Sequence, residues 1–252
     1  MQAQIAVQLY TLRDVATRDP EGTLARLGTI GFVAVESAGL FGRRPEAVAA
    51  MLADSGLRLC SAHVGFRDDD TYEADLEAHQ RAGATTFIIP ALPPEGFVDL
   101  DAVRRTAETI NEANQRVRAV GGELGYHNHH WEMKPIDGRP ALLHLVEHLD
   151  PSVLCEVDVY WVRVGGVDPA RLVADLGDRV RMLHVKDGPA DHPESAMVAV
   201  GDGALDMPPI LAANPAVAWH IVELDRCDTD MFEAVERSYH FLVDGGLSQA
   251  RQ

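Results

Sequence analysis

The sequence repeats one pattern eight times: a short segment rich in β-branched and apolar residues, then a longer segment with helical spacing. Each repeat takes about 30 residues, which is the length of a βα unit. The segments with strand character are Ile5–Leu12, Phe32–Ser37, Leu57–Val64, Thr85–Ala91, Glu123–His129, Val153–Tyr160, Val180–Lys186 and Ala216–Leu224. Eight such units in 252 residues predict a single α/β domain over residues 1–252, a (β/α)8 TIM barrel.

The segments between the strands have apolar residues on one helical face and typical helix ends. Pro45 and Pro169 stand where a first helical turn begins, and Gly31 and Gly56 stand where helices end. The predicted helices are Glu21–Thr29, Pro45–Asp54, Asp75–Ala82, Leu100–Val120, Ala141–Leu149, Pro169–Leu176, Met207–Ala213 and Met231–Val243. A doubly wound sheet is the alternative, but it usually has a phosphate-binding glycine loop after its first strand, and the stretch TLRDVATRDPEG contains none.

The composition limits the partners that the protein can have. Its net charge of −17 repels nucleic acid, which is bound through Lys and Arg, and no basic run offers a local exception. No apolar stretch approaches the roughly 20 residues that span a bilayer, and the N-terminus lacks the features of a signal peptide. Three cysteines without a CxxC pair are typical of a reducing compartment. We therefore expect a cytoplasmic protein that binds neither nucleic acid nor membranes. A homodimer is expected only because homodimers are the commonest oligomers of soluble proteins.

Polar residues stand at the ends of the predicted strands, where a barrel of this kind places its chemistry. They are Glu36 on strand two, His63 on strand three, His127, Asn128 and His129 on strand five, Glu156 and Asp158 on strand six, His184, Lys186 and Asp187 on strand seven, and Glu223 and Asp225 on strand eight. A buried carboxylate is costly unless it is paired or ligated. Imidazoles and carboxylates that converge from several strands therefore predict a divalent metal ion.

The densest group of such residues is the stretch 125–132, which reads GYHNHHWE. His127 and His129 share one face of the strand, because successive side chains of a strand alternate. We interpret them as part of the predicted site; a pair of hydrogen-bonded core histidines is the alternative. His130 lies on the other face, and we interpret it as structural or surface-exposed.

Six motifs, in their order along the chain, resemble the sugar phosphate isomerase/epimerase family. They are VQLYTLRD, GYHNHHWE, EVDVYWVRVGGVDP, MLHVKDG, VGDGALD and IVELD. The family belongs to the xylose-isomerase-like barrel superfamily, which also includes endonuclease IV, inosose dehydratase and ketose 3-epimerases. The resemblance spans nearly the whole chain, and it implies the superfamily without implying one substrate.

The resemblance implies one divalent metal ion with ligands from strands five to eight. Mn²⁺ is the expected ion, and Zn²⁺, Co²⁺ and Mg²⁺ are alternatives. By their positions in the motifs, Asp158, His184 and Glu223 are the expected ligands from strands six, seven and eight. Strand five departs from the family pattern, because ketose epimerases have a glutamate where this sequence has His127. Either His127 is the fourth ligand or Glu132 reaches back to the ion, and we favour Glu132 because a third carboxylate balances a dication better.

The same residues include candidates for catalysis. Glu223, His127 and His129 are candidates to remove a proton from the substrate. Lys186 is a candidate to stabilise negative charge that develops on an oxygen, and a structural salt bridge is its alternative role.

Three further residues are candidate substrate contacts. Glu36 and His63 stand at strand ends, and Trp161, together with Trp131, is a candidate wall against the less polar face of a sugar ring. The long segment 187–206 contains Gly201, Asp202 and Gly203, which predict a turn that lines or closes the pocket.

These residues predict a metal-dependent isomerase or epimerase of a sugar or keto-sugar, which works by proton abstraction next to a carbonyl through an enediolate. A dehydratase or lyase that acts on a keto-sugar or an inosose is the alternative, because it begins with the same abstraction. A non-catalytic binding barrel is a third hypothesis, and the acidic charge disfavours DNA repair of the endonuclease IV kind. The sequence shows no basic phosphate cradle, which favours an unphosphorylated or oxidised sugar.

Overall fold

Eight parallel strands close into a barrel in the computed structural model of the protein, which describes residues 2–250. Each strand pairs with the next one along the chain, and the eighth pairs with the first. The strands are β1 (Gln4–Gln8), β2 (Ala34–Ser37), β3 (Arg58–His63), β4 (Thr86–Ile89), β5 (Glu123–His127), β6 (Leu154–Asp158), β7 (Val180–Val185) and β8 (Trp219–Val222). The predicted TIM barrel is confirmed.

Helices connect consecutive strands on the outside of the barrel. They are α1 (Arg13–Ala16), α2 (Pro20–Ile30), α3 (Pro45–Asp54), α4 (Thr71–Arg81), α5 (Leu100–Ala119), α6 (Ala141–His148), α7 (Val159–Val164), α8 (Pro169–Leu176), α9 (Met207–Ala212) and α10 (Met231–Asp244). The side chains of Asp99, Asp168 and Asp230 accept hydrogen bonds from the first turns of α5, α8 and α10, which explains where these helices begin. Within residues 2–250, no helix combines the length and the apolarity that crossing a bilayer requires.

Seven of the eight strands end one to four residues earlier than their apolar runs predict, and side-chain hydrogen bonds explain two of these ends. The first ends at Gln8, whose side-chain oxygen accepts a hydrogen bond from the backbone N–H of Tyr10 at 3.0 Å and so starts a 3-10 turn. The sixth ends at Asp158, whose Oδ1 accepts from the backbone N–H of Trp161 at 2.8 Å and caps α7. The residues after both strands remain apolar because they pack into the core, so hydrophobicity alone does not mark the strand ends.

Alternation along the strands determines where the polar residues lie. A small apolar cluster, separate from the core between barrel and helices, forms the floor of the barrel interior and consists of Ala6, Val33, Ala34, Cys60, Ile88, Met182 and Ile221. Two residues after Ala6, Ala34, Met182 and Ile221 stand Gln8, Glu36, His184 and Glu223. Because side chains two apart share a strand face, these polar groups lie directly above the apolar floor.

The carboxylate of Asp187 organises the long segment that follows β7. It is fully buried and accepts hydrogen bonds of 2.9 to 3.2 Å from the backbone N–H groups of Gly188, Gly201, Gly203 and Leu205. A Cβ atom on Gly203 would lie 2.0 Å from Asp187 Oδ1, so this position accepts only glycine without rearrangement. The segment therefore folds onto its own first residue.

The contacts of Asp187 generate a stability prediction. We expect Asp187→Asn to lower the free energy of unfolding by about 2 kcal/mol, because an amide nitrogen replaces one acceptor oxygen and leaves buried N–H groups unpaired. Urea unfolding followed by circular dichroism measures the change. Asp202→Asn is the matched control: Asp202 lies in the same segment, exposed and paired with Arg237. Its effect should stay within about 0.5 kcal/mol, and equal effects of the two substitutions would contradict the role of Asp187.

Candidate metal centre and pocket

Four side chains from consecutive strands meet at the carboxyl end of the barrel. His127, Asp158, His184 and Glu223 are all buried, and each offers a ligand atom within 4.8 Å of the others. His184 Nδ1 lies 2.6 Å from Glu223 Oε2, and His127 Nε2 lies 3.8 Å from Asp158 Oδ2. Two imidazoles and two carboxylates are a donor set that suits divalent transition metals. We call these four residues the candidate ligand group.

Glu132 does not belong to this group, which corrects our preference for it as the strand-five ligand. Its side chain is fully buried. Oε1 accepts a hydrogen bond from the Tyr126 hydroxyl at 2.6 Å, and Oε2 accepts one from the backbone N–H of His129 at 2.9 Å. Burial raises the pKa of Glu132 to about 7. Both oxygens of Glu132 thus hold the turn after β5 in place, and His127 is the strand-five member of the candidate ligand group.

A second carboxylate lies behind the two histidines of the group. Glu156 Oε2 lies 3.0 Å from His127 Nδ1 and 3.1 Å from His184 Nε2. The nitrogen of each ring that points away from the group is therefore held by a carboxylate, which orients the ring and directs its other nitrogen towards the group. Such a carboxylate is typical of metal-binding histidines. The same oxygen also lies 2.9 Å from His63 Nε2, so the observed partners of Glu156 are three imidazoles.

Glu36 is also a partner of histidines, and this differs from its predicted role as a substrate contact. Its fully buried Oε1 lies 2.7 Å from His184 Nε2 and 3.0 Å from His63 Nε2, and it also accepts from the Gln8 side chain at 2.7 Å. Oε2 accepts from the Ser61 hydroxyl at 2.5 Å. Because the carboxylate is enclosed by these partners, it supports the site from below and does not face a substrate.

Lys186 brings a positive charge to the same place. Its buried Nζ lies 2.8 Å from both Glu223 Oε2 and Asp225 Oδ2, and 3.0 Å from Asp158 Oδ2. Burial lowers the pKa of Lys186, but these three carboxylates hold it well above its usual value. Burial also lowers the pKa of His184, and Glu156, Glu223 and Glu36 raise it well above the usual range. The cluster therefore favours positive charge at its centre.

Asp158 shows that a metal ion would fit the candidate ligand group. Its side chain is fully buried, and burial raises its pKa to about 6. Oδ1 caps α7, whereas Oδ2 accepts no hydrogen bond of acceptable geometry within residues 2–250, although Lys186 Nζ lies 3.0 Å away. A buried carboxylate oxygen without hydrogen bonds is costly. A dication held beside it would remove that cost.

A pocket of about 370 Å³ opens directly above the group. Its lining consists of Tyr10, Ala38, His63, Pro90, Ala91, His127, His129, Lys186, Glu223 and Asp225. Five predicted site residues thus face one cavity at the carboxyl ends of the strands, where barrels of this kind bind their substrates. The lining includes no residue of the segment 187–206, so the predicted turn of Gly201, Asp202 and Gly203 does not line the pocket.

Aromatic rings support one wall of the pocket from behind. His129 stacks on Trp131, with 4.3 Å between ring centroids and 6° between planes. The ring centroid of Trp161 lies 6.1 Å from that of His129. Trp161 does not line the pocket; the centroid of its ring lies 5.3 Å from Lys186 Nζ. Trp161 therefore supports the wall of the pocket from behind, whereas it was predicted to contact the substrate. Burial, followed by the charge of Lys186, lowers the pKa of His129 to about 3, and the imidazole is neutral at pH 7.

His63 also lies next to His127 and has the opposite protonation state to His129. The ring centroids of His63 and His129 lie 5.4 and 5.1 Å from that of His127. Burial lowers the pKa of His63, but the carboxylates of Glu36 and Glu156 raise it to about 10. The pocket therefore presents a protonated imidazole and a neutral imidazole, both next to His127 of the candidate ligand group.

Two pocket residues with polar groups were given no role in the sequence analysis. Tyr10 is 43% exposed at the mouth, and it was hidden inside an apolar run that we interpreted as strand. The buried polar residue Gln8 two positions earlier could have marked the strand end. Asp225 was noted as a polar residue at the end of strand eight, and the structure places it in the pocket lining, in a bend after that strand.

Comparisons with known proteins agree with the fold. A sugar phosphate isomerase/epimerase from Parabacteroides distasonis ATCC 8503 superposes with a TM-score of 0.84 at 23% identity, over 99% of this chain and 96% of that one. The protein IolI, in a structure with a bound zinc atom, superposes with a TM-score of 0.73 at 12% identity, over 97% of each chain. An inosose dehydratase from Geobacillus kaustophilus (strain HTA426) is 24% identical in an alignment of 257 positions that covers 85% of this chain and 82% of the relative. No family model matches the chain.

The chain has the fold of the sugar phosphate isomerase/epimerase and xylose-isomerase-like barrels. The similar proteins include an isomerase/epimerase and a dehydratase. The resemblance that the motifs indicated is confirmed for the fold.

The position of Glu132 generates a prediction about metal binding. We expect His127→Ala to lose the divalent metal ion that the wild-type protein retains after dialysis, because it removes a ligand. Glu132→Gln should keep the ion, because its side chain lies outside the candidate ligand group. Mass spectrometry of metal content, with circular dichroism to confirm folding, measures both variants. Loss of the ion in Glu132→Gln with retention in His127→Ala would restore the original assignment.

Glu156 offers a second, graded test. Glu156→Gln should bind the metal ion about 10- to 100-fold more weakly than wild type, because the two histidines lose the carboxylate that orients them. Titration calorimetry with Zn²⁺ on metal-stripped protein measures the affinity. Glu147→Gln, which changes an exposed carboxylate on α6, is the matched control and should leave the affinity unchanged.

Proposed function

We propose that the protein is a metal-dependent isomerase or epimerase that acts on a keto-sugar or a related polyol. The observation that carries this proposal is the candidate ligand group, which faces a pocket of about 370 Å³ lined by a neutral and a protonated imidazole. The similarity to a sugar phosphate isomerase/epimerase supports it. A small sugar is the proposed partner of the site.

His127, Asp158, His184 and Glu223 would hold the divalent ion. When bound, such an ion supplies a Lewis acid that polarises a carbonyl and makes the neighbouring C–H bond more acidic. Similarity to a protein with a bound zinc atom supports a metal ion without deciding its identity, and Mn²⁺ remains our proposal.

His129 is the proposed base. Its ring lines the pocket, and the stack with Trp131 fixes its plane without using a ring nitrogen. Its Nδ1 is buried and makes no hydrogen bond within residues 2–250, so Nε2 is the ring nitrogen that a substrate can reach. A neutral imidazole with a free nitrogen can accept a proton from a carbon beside the substrate carbonyl. Glu223 is the alternative base, but Lys186 and His184, acting against burial, hold the pKa of its carboxyl well below the usual range, which weakens it as a base.

His63 is the proposed acid that returns a proton. It also lies next to His127, and Glu36 and Glu156 keep its ring protonated. Two groups whose surroundings push their pKa values apart are a typical acid and base pair. Return of the proton to the opposite face of the same carbon gives an epimer, and return to the neighbouring carbon gives an isomer. The ammonium of Lys186 would stabilise negative charge on the substrate oxygen.

A dehydratase is the second candidate, and the relation to an inosose dehydratase favours it. In that reaction His129 removes the same proton, and the protonated ring of His63 gives its proton to a departing β-hydroxyl. The products differ, because elimination creates a conjugated enone that absorbs ultraviolet light and epimerisation does not. A binding barrel without catalysis would produce neither outcome.

A screen in D2O tests the proposal. Protein loaded with Mn²⁺ is incubated with unphosphorylated ketoses and inososes; ¹H NMR follows deuterium uptake beside the carbonyl, and absorbance follows enone formation. We expect uptake with at least one ketose, and His129→Gln should slow it by about 10²- to 10⁴-fold. His240→Gln, which changes an exposed histidine on α10, is the matched control and should leave the rate unchanged. Enone formation would select the dehydratase, and full activity of His129→Gln would reject the assigned base.

A further inference from the structure

The positive charges at the pocket are already matched by carboxylates. Within residues 2–250, Lys186 is the only Lys or Arg in the pocket lining. Its Nζ lies within 3.0 Å of carboxylate oxygens of Asp158, Glu223 and Asp225. The ammonium therefore has three negative partners before any ligand enters.

The other two cationic groups near the pocket are also engaged, His63 by carboxylates and Arg13 by backbone oxygens. His63 Nε2 lies 2.9 Å from Glu156 and 3.0 Å from Glu36. Arg13 lies beside the mouth, where its guanidinium donates to the backbone oxygens of Tyr10 at 2.8 Å and Asp225 at 3.0 Å and packs on the ring of Tyr10. Arg13 is not part of the pocket lining.

To bind a phosphate or carboxylate group, a pocket needs hydrogen-bond donors that are not already paired with its own carboxylates. A phosphorylated ligand brings a charge between −1.5 and −2, roughly, and is normally bound by free Lys or Arg side chains or by backbone N–H groups. In this pocket such a group would meet the carboxylates of Glu223 and Asp225. Like charges at a few ångströms are strongly unfavourable in a partly buried site. Hydroxyl and keto groups, in contrast, can donate to these carboxylates or accept from the imidazoles.

We propose that the site takes uncharged keto-sugars or cyclitols and rejects their phosphorylated and carboxylated analogues, and that Asp225 is the residue that sets this selectivity. The inference rests on the proposed function, because it names the substrate class of that same site. It differs from what the name of the similar sugar phosphate isomerase/epimerase suggests.

Asp225 is suited to this role because it belongs to the pocket but not to the candidate ligand group. It is partly exposed, with 22% of its side chain accessible, and its Oδ2 accepts a hydrogen bond from Lys186 at 2.8 Å. Arg13 holds its backbone oxygen from the other side of the chain. Asp225 thus neutralises the one ammonium of the pocket and places a negative charge where a ligand enters.

Asp225→Asn tests the assignment with almost no change in shape. The substitution removes one of the three carboxylate charges around Lys186 and keeps a side-chain oxygen that can accept its hydrogen bond. Binding of D-fructose and D-fructose 6-phosphate to the Mn²⁺-loaded protein is measured by titration calorimetry at low and at high salt. We expect wild type to bind D-fructose at least about tenfold more tightly than the phosphate ester, with a smaller ratio at high salt because ions screen the repulsion.

The variants divide the outcomes. Asp225→Asn should lower the ratio of the affinity for D-fructose to that for D-fructose 6-phosphate by about tenfold, because it binds the phosphate ester more tightly. Asp202→Asn removes the same charge outside the pocket and should leave this ratio unchanged. An unchanged ratio in Asp225→Asn would overturn the assignment of Asp225. Equal or tighter binding of the phosphate ester by wild type would overturn the inference and leave the proposed function standing. If wild type binds neither sugar and exchanges no ketose proton in D2O, the proposed function itself fails.

Discussion

One carboxylate oxygen, Oε2 of Glu156, lies within 3.1 Å of nitrogens on three imidazole rings, and the site depends on this contact. His63, His127 and His184 come from three different strands, and each ring is oriented by the same atom. Because the oxygen holds one nitrogen of His127 and one of His184, the other nitrogens of both rings point to the candidate ligand group. A single buried anion thus determines the metal donors and places the proposed acid next to them.

Much of this arrangement could be predicted from strand alternation. Alternation placed polar residues of several strands at the carboxyl end of the barrel. The family resemblance then implied Asp158, His184 and Glu223 as ligands, and all three belong to the candidate ligand group. The choice between His127 and Glu132 could not be made in that way. Glu132 lies in a 3-10 turn whose direction depends on the Tyr126 hydroxyl, a tertiary contact that leaves no periodic signal in the sequence.

The histidines show a second limit of prediction from the sequence. His63 and His129 are chemically identical, and their environments separate them: two carboxylates keep the first protonated, and burial beside an ammonium keeps the second neutral. The partners that cause this difference lie up to 93 positions away along the chain, as for His63 and Glu156, so the roles of the histidines follow only from the closed barrel.

The segment after β7 is tied to Asp187 and leaves the mouth of the pocket uncovered. This has a consequence for the fate of hydrogen in the proposed reaction. His129 is partly exposed in this open pocket, so a proton that it takes from the substrate would exchange with water, and His63 would return a different one. Turnover that restores the original sugar would then still wash an isotopic label out of it, and the protein would act as a hydrogen-exchange catalyst even at chemical equilibrium.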